Sequence, residues 1–107
     1  MTITLHQLKV FVAAAKRLNL SKTAQTLNVT QAAVSHAIKE VEHLLDIKLI
    51  KKARSGIELT EMGESFSASV AKVLYDLNEV IQKHSRKKNH RSLETPTVGA
   101  SRGSSSR

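Results

Sequence analysis

Apolar residues recur at three- and four-residue steps through most of the first 84 positions, so the chain reads as mainly α-helical. Leu8, Phe11, Val12, Ala15 and Leu18 stripe a first helix over Leu5 to Leu18, with Lys9, Lys16 and Arg17 off the stripe. Ala24 and Leu27 mark a short second helix. Val34, Ile38, Val41 and Leu45 mark a longer third one. The period then changes: Ile47 to Lys52 and Ile57-Glu58-Leu59 are β-prone pieces around the turn Ala53-Arg54-Ser55-Gly56, and predict a small hairpin. From Thr60 a last stripe runs through Phe66, Val70, Val73, Leu77, Val80 and His84, widened by Leu74 and Ile81. At about 1.5 Å per residue, Glu61 to His84 would form a rod of roughly 36 Å, long enough to favour packing against a second copy.

The punctuation between the stripes is as informative as the stripes. Asn19 is placed to cap the second helix, with Ser21 as another candidate, and either would leave backbone N–H groups where a phosphate could bind. Asn28 tolerates the left-handed conformation that closes a helix, and Thr30 can cap the next. Thr60, followed by Glu61 and Glu64, is a further helix start. Two helices joined by Asn28-Val29-Thr30 make a helix-turn-helix, and a hairpin behind it is a wing. On the third helix the outer face near the N-terminus carries Gln31, Ala32, Ser35, His36 and Lys39, residues that are small or hydrogen-bonding. Such side chains read base edges.

Composition narrows the picture. The 107 residues allow one small domain plus a tail, and with Phe11, Phe66 and Tyr75 as the aromatics the core must be aliphatic. Cysteine is absent, which excludes disulfides and thiolate chemistry and suits a reducing cytoplasm. No apolar run approaches a membrane span, and no signal peptide pattern opens the chain. A soluble cytoplasmic protein is expected. The formal charge of +8 fits a polyanionic partner, but Arg86, Lys87, Lys88, Arg91, Arg102 and Arg107 against Glu94 place +5 of it after residue 84. The folded part must make its case by position. Beyond Ser85 the chain is basic and rich in Ser and Gly, and is expected to be disordered, with a share in DNA affinity open to it.

TQAAVSHAIKEVEHLLDIKLIKKARSGIELTEMG, with LHQLKVFVAAAKRLNLSKTAQTLNV before it, resembles the DNA-binding region of LysR-type transcriptional regulators. The resemblance covers residues 3 to about 84 and is carried by Gln31, Ala33, Val34, Ser35, Ile38 and Glu42 with Leu49, Leu59, Thr60 and Gly63. It implies a winged helix-turn-helix over 1–59, a linker helix over 60–84 that pairs two subunits, and a tail over 85–107 where the family continues into an effector-sensing domain. Thr97 to Ser101 faintly resembles that domain's first strand, as a truncated or frameshifted regulator would, and no small-molecule effector site is expected in this chain. Carried over by position, Gln31, Ala32, Ser35, His36 and Lys39 would read bases. Ser21, Lys22, Thr23, Thr30, Lys52 and Arg54 would hold the DNA backbone, and Phe66, Val70, Val73, Leu77, Val80 and Ile81 would form the dimer seam. The departures are Ala32 where a small residue or proline is common, Asp46 for a usual glycine, and Ile50 and Lys52 for a usual Phe and Arg. Lys52 keeps the charge without the two-pronged grip of arginine.

Other chemistries are weaker fits. His36, Glu40 and His43 share a helical face, and Glu40 with His43 has the spacing of half a di-metal motif, but a second such pair is missing, so neither a metal nor another cofactor is expected. Ser35 and His36 are neighbours on a helix and diverge by about 100°, which prevents a nucleophile–base pair. An enzyme is not expected. The reading is a sequence-specific regulator that binds double-stranded DNA as a homodimer. Its alternatives are a dimerisation module that interferes with a full-length relative, and a non-specific basic binder of nucleic acid.

Overall fold

The structure, a computed structural model, describes residues 2–86. Four helices and one hairpin follow in the order α1 (Leu5–Arg17), α2 (Leu20–Leu27), α3 (Gln31–Leu45), β1 (Ile50–Ala53), β2 (Gly56–Leu59) and α4 (Glu61–His84). The expected mainly helical, winged architecture is present. The chain divides into two compact units, 1–72 and 73–107, with the division inside α4. The first unit therefore extends beyond residue 59, because the opening turns of α4 complete its core: the Phe66 ring lies 5.6 Å from that of Phe11, and Val70 is buried.

Helices α1, α2 and α3 pack on one another around Phe11, Val34, Ile38 and Val41, all fully buried. Each helix is bounded by chemistry visible in its own residues. Thr4 and Gln7 form a reciprocal capping box on α1, Asn19 caps α2 through the Lys22 N–H, and Thr30 caps α3 through the Ala33 N–H. The cap of α2 is thus Asn19, not Ser21. Leu18, Asn28 and Asp46 close the three helices with positive φ of 54°, 60° and 57°. Asn28 was foreseen in that role. Leu18 was not: expected in the core stripe, it is exposed at the C-cap, while Val10 and Ala14 take buried positions instead.

The hairpin pairs Ile50 with Leu59 through to Ala53 with Gly56, so its first strand begins three residues later than the apolar run from Ile47. Three latches fix it to the helices. The Ile57 N–H donates to the Leu18 carbonyl at 3.1 Å, and a Cβ on Gly56 (φ 108°) would collide with that same oxygen. Glu42 Oε2 accepts the Leu49 and Ile50 N–H groups at 2.7 and 3.2 Å. Thr60 donates its hydroxyl to the Lys48 carbonyl at 2.6 Å and its N–H to Leu49 at 3.0 Å, while its Oγ1 accepts the Gly63 N–H. Glycine is required at 63, since a Cβ there would strike the Leu49 carbonyl. The wing is therefore held in place from α1, α3 and α4.

In the second unit the described residues are 73–86, the end of α4 and two residues beyond it. Leu74 is buried and Leu77 half-buried, whereas Val73, Val80 and Ile81 are exposed. The expected seam is thus divided: Phe66 and Val70 are covered within their own chain, and the exposed apolar positions lie at Val73, Val80 and Ile81. No helix among the described residues is long and apolar enough to cross a membrane. Lys87, Lys88, Arg91, Arg102 and Arg107, and the disorder expected of the tail, lie outside the described residues.

Candidate nucleic-acid interface

The outward side of α3 carries two stripes. Gln31, Ser35 and Lys39, spaced by four, share one stripe, and Ala32, His36 and Glu40 share the next. The first faces an open concavity of about 710 Å³ bounded by the start of α2 at Asn19 and Ser21, by Lys48 ahead of the wing, and by Lys51, Lys52 and Gly56 of the wing. The second stands beyond the concavity, with Ala32 and His36 exposed. The candidate base readers are therefore brought onto one side of the unit, and Ser21 and Lys52 join them around the concavity.

Most of the candidate backbone contacts are placed where an anion could reach them. Ser21 and Lys22 are exposed in the first turn of α2, where free N–H groups and the positive end of the helix dipole favour negative charge. Thr30 is exposed, although its hydroxyl already accepts the Ala33 N–H at 3.0 Å. Lys52 and Arg54 are exposed on the wing. Thr23 does not belong with them. Its side chain is fully buried and its hydroxyl donates to the Asn19 carbonyl at 2.8 Å, so it braces the start of α2 and cannot reach a phosphate.

Two cations in the concavity had not been assigned a part. Lys48 lies 3.9 Å from Glu42 Oε1, and Lys51 lies 3.7 Å from Glu58, its cross-strand partner. Both pairs leave the lysines largely in solvent, so they add positive potential beside α3 and little stability. With Lys52 they form a basic run in the sequence, one that the β-prone pattern of the same segment overlies. On the second stripe, Glu40 Oε2 lies 3.4 Å from His36 Nε2, and Glu40 Oε1 accepts from Gln7 Nε2 of α1 at 2.7 Å. No group of three or more His, Asp or Glu residues among the described residues is arranged to hold a metal ion.

Basic side chains, a helix start and a hydrogen-bonding helical face around one concavity are the parts of a winged helix-turn-helix surface. Residues 5–64 match the family model described as bacterial regulatory helix-turn-helix protein, lysR family. The chain belongs to the lysR family. Among relatives of this lysR-family chain is the glycine cleavage system transcriptional activator homolog of Haemophilus influenzae, 44% identical over 79 residues, which are 74% of this chain and 26% of that protein. The HTH-type transcriptional regulator YvbU of Bacillus subtilis is 46% identical over 83 residues, 77% of this chain and 28% of that one. The chain spans about a quarter of the length of the curated relatives it matches. Among solved structures, the CbnR DNA-binding domain in complex with DNA superposes with a TM-score of 0.69 at 28% identity, covering 78% of this chain and 93% of that one. Vibrio fischeri DarR in complex with DNA gives 0.71 at 29% identity, over 78% of this chain and 28% of that one.

Proposed function

We propose that this lysR-family chain is the DNA-reading part of a transcriptional regulator, with α3 entering the major groove of double-stranded DNA and the wing resting on the flanking backbone. The observation that carries the reading is the stripe of Gln31, Ser35 and Lys39 over a concavity rimmed by Ser21, Lys51 and Lys52. Hydrogen-bonding side chains at the centre read base edges, and the rim of cations and helix N–H groups holds phosphates and fixes the register. That the CbnR and DarR structures include DNA supports double-stranded DNA as the partner. Gln31, Ala32, Ser35, His36 and Lys39 are assigned to bases, and Ser21, Lys22, Thr30, Lys52 and Arg54 to the backbone.

The exposed apolar residues of α4, Val73, Val80 and Ile81, support pairing of two copies through that helix. A two-fold pair would read a two-fold related site in the cytoplasm, without catalysis and without a cofactor. The test is selection of binding sites from random duplexes, followed by footprinting at one fixed salt concentration. The expected result is one protected site with two related halves. Equal protection of scrambled DNA would replace this reading with the non-specific binder.

A further inference from the structure

The second stripe of α3 is tied to α1 by a chain of polar contacts. The Thr4 N–H donates to Gln7 Oε1 at 3.0 Å, which leaves the Gln7 amide nitrogen to donate, and it does so to Glu40 Oε1 at 2.7 Å. The Gln7 N–H donates back to Thr4 Oγ1 at 3.1 Å, so the residue is held at both its backbone and its side chain. Glu40 Oε2 then lies 3.4 Å from His36 Nε2, with the His36 side chain 74% exposed and that of Glu40 38%. The chain thus ends in an open imidazole whose Nε2 faces an anchored carboxylate.

An ionised carboxylate only accepts, so the contact is favourable when His36 Nε2 carries the proton; a neutral ring has one N–H, and Nδ1 is then an acceptor. We propose that Glu40, anchored by Gln7, is a positioning residue that sets the tautomer of His36 and presents Nδ1 to the base edges as an acceptor. The proposal rests on α3 being the reading helix. In the major groove an acceptor selects a base that offers an exocyclic amine, N6 of adenine or N4 of cytosine, over guanine, which offers acceptors there. Protonation of the ring would make Nδ1 a donor and reverse that preference. Around His36 the ionisable groups on α3 are Glu40 in contact, Lys39 on the first stripe and His43 farther along; α1 contributes the neutral Gln7, with His6 beside it. A free surface pair spaced by four would hold nothing in place. The Gln7 anchor is what separates this pair from that case.

The test uses the full chain in wild-type form and as E40A, E40Q and Q7A, each checked for an unchanged helical spectrum. Ring-nitrogen NMR shifts of His36, at about pH 8 where histidines are ordinarily neutral, report the tautomer directly. Wild type and E40Q, whose amide oxygen still accepts, should show Nε2–H, and E40A should show a mixture. On the selected site with each base pair exchanged in turn, E40A and Q7A should lose roughly three- to tenfold discrimination at one position, with E40Q retaining it. Two results overturn the proposal: a wild-type tautomer pattern persisting in E40A, or E40A and E40Q changing affinity equally for every DNA, which would make Glu40 a plain repulsive charge. If the wild type selects no site, the reading-helix assignment fails by itself, and the ring shifts alone decide the role of Glu40.

Discussion

The carboxylate of Glu42 accepts the backbone N–H of Leu49 at 2.7 Å, and both residues are buried. One side chain on the reading helix thereby fixes the base of the wing, since the same oxygen also takes the Ile50 N–H at 3.2 Å. The spacing between α3 and the wing lysines depends on that bond.

Glu42→Ala should therefore destabilise the fold by about 2–3 kcal/mol, because it strands a buried N–H that was bonded to a charged acceptor. Glu42→Gln keeps one acceptor oxygen and should lose less. Urea unfolding followed by circular dichroism measures both. A loss below about 0.5 kcal/mol for the alanine variant would mean that water replaces the carboxylate and that the latch is not structural.

Asp46 makes the opposite prediction. It closes α3 at φ 57°, a left-handed conformation that glycine adopts without cost, and its negative charge lies at the negative end of the helix dipole. Asp46→Gly should raise stability by about 0.5–1 kcal/mol. For a domain of this size that is a rise of several degrees in Tm, about 4–8 °C per kcal/mol. A fall in Tm would show that the Asp46 side chain contributes something the cap geometry does not reveal.

These two residues mark where the sequence was legible and where it was not. Helix ends followed from local chemistry, because Asn19, Asn28, Thr30 and Thr60 act on backbone groups within a few residues of themselves. The bond from Glu42 to Leu49 spans seven positions across a change from helix to loop, and only the packed structure aims the carboxylate there. Leu18 misled for a related reason. Its apolar side chain fits the stripe, but the wing requires its carbonyl, so the chain turns left-handed at that position and the side chain is left in solvent. Thr23 looked like its polar neighbours Ser21 and Lys22, and periodicity over an eight-residue helix was too short a signal to show that it points inward.

Gln31 and Thr30 are adjacent and should fail differently. Gln31 is exposed at the first turn of α3 and has no structural bond to lose, so Gln31→Ala should cost roughly 1–3 kcal/mol on a preferred DNA site and little on scrambled DNA. Thr30→Ala removes the acceptor of the Ala33 N–H, a cap worth about 1 kcal/mol. It should weaken binding to both DNAs alike and lower the Tm. Titration of both variants on both DNAs at fixed salt separates them, and equal losses on the two DNAs for Gln31→Ala would remove it from the base readers.

Val80 tests the pairing of subunits more cleanly than its neighbours on α4. Leu74 is buried and Leu77 half-buried within the single chain, so a charge at either would disturb the monomer, whereas Val80 is 54% exposed. Glutamate at position 80 would stay hydrated in a monomer and leave α4 helical. In a two-fold pair the same substitution would bring two like charges into a dry contact without partners, which is strongly unfavourable. Sedimentation equilibrium should give a dimer for the parent chain and a monomer for Val80→Glu, with the circular dichroism spectrum unchanged. If both sediment with the same mass, Val80 is not at a subunit contact and the pairing of copies through this part of α4 must be abandoned.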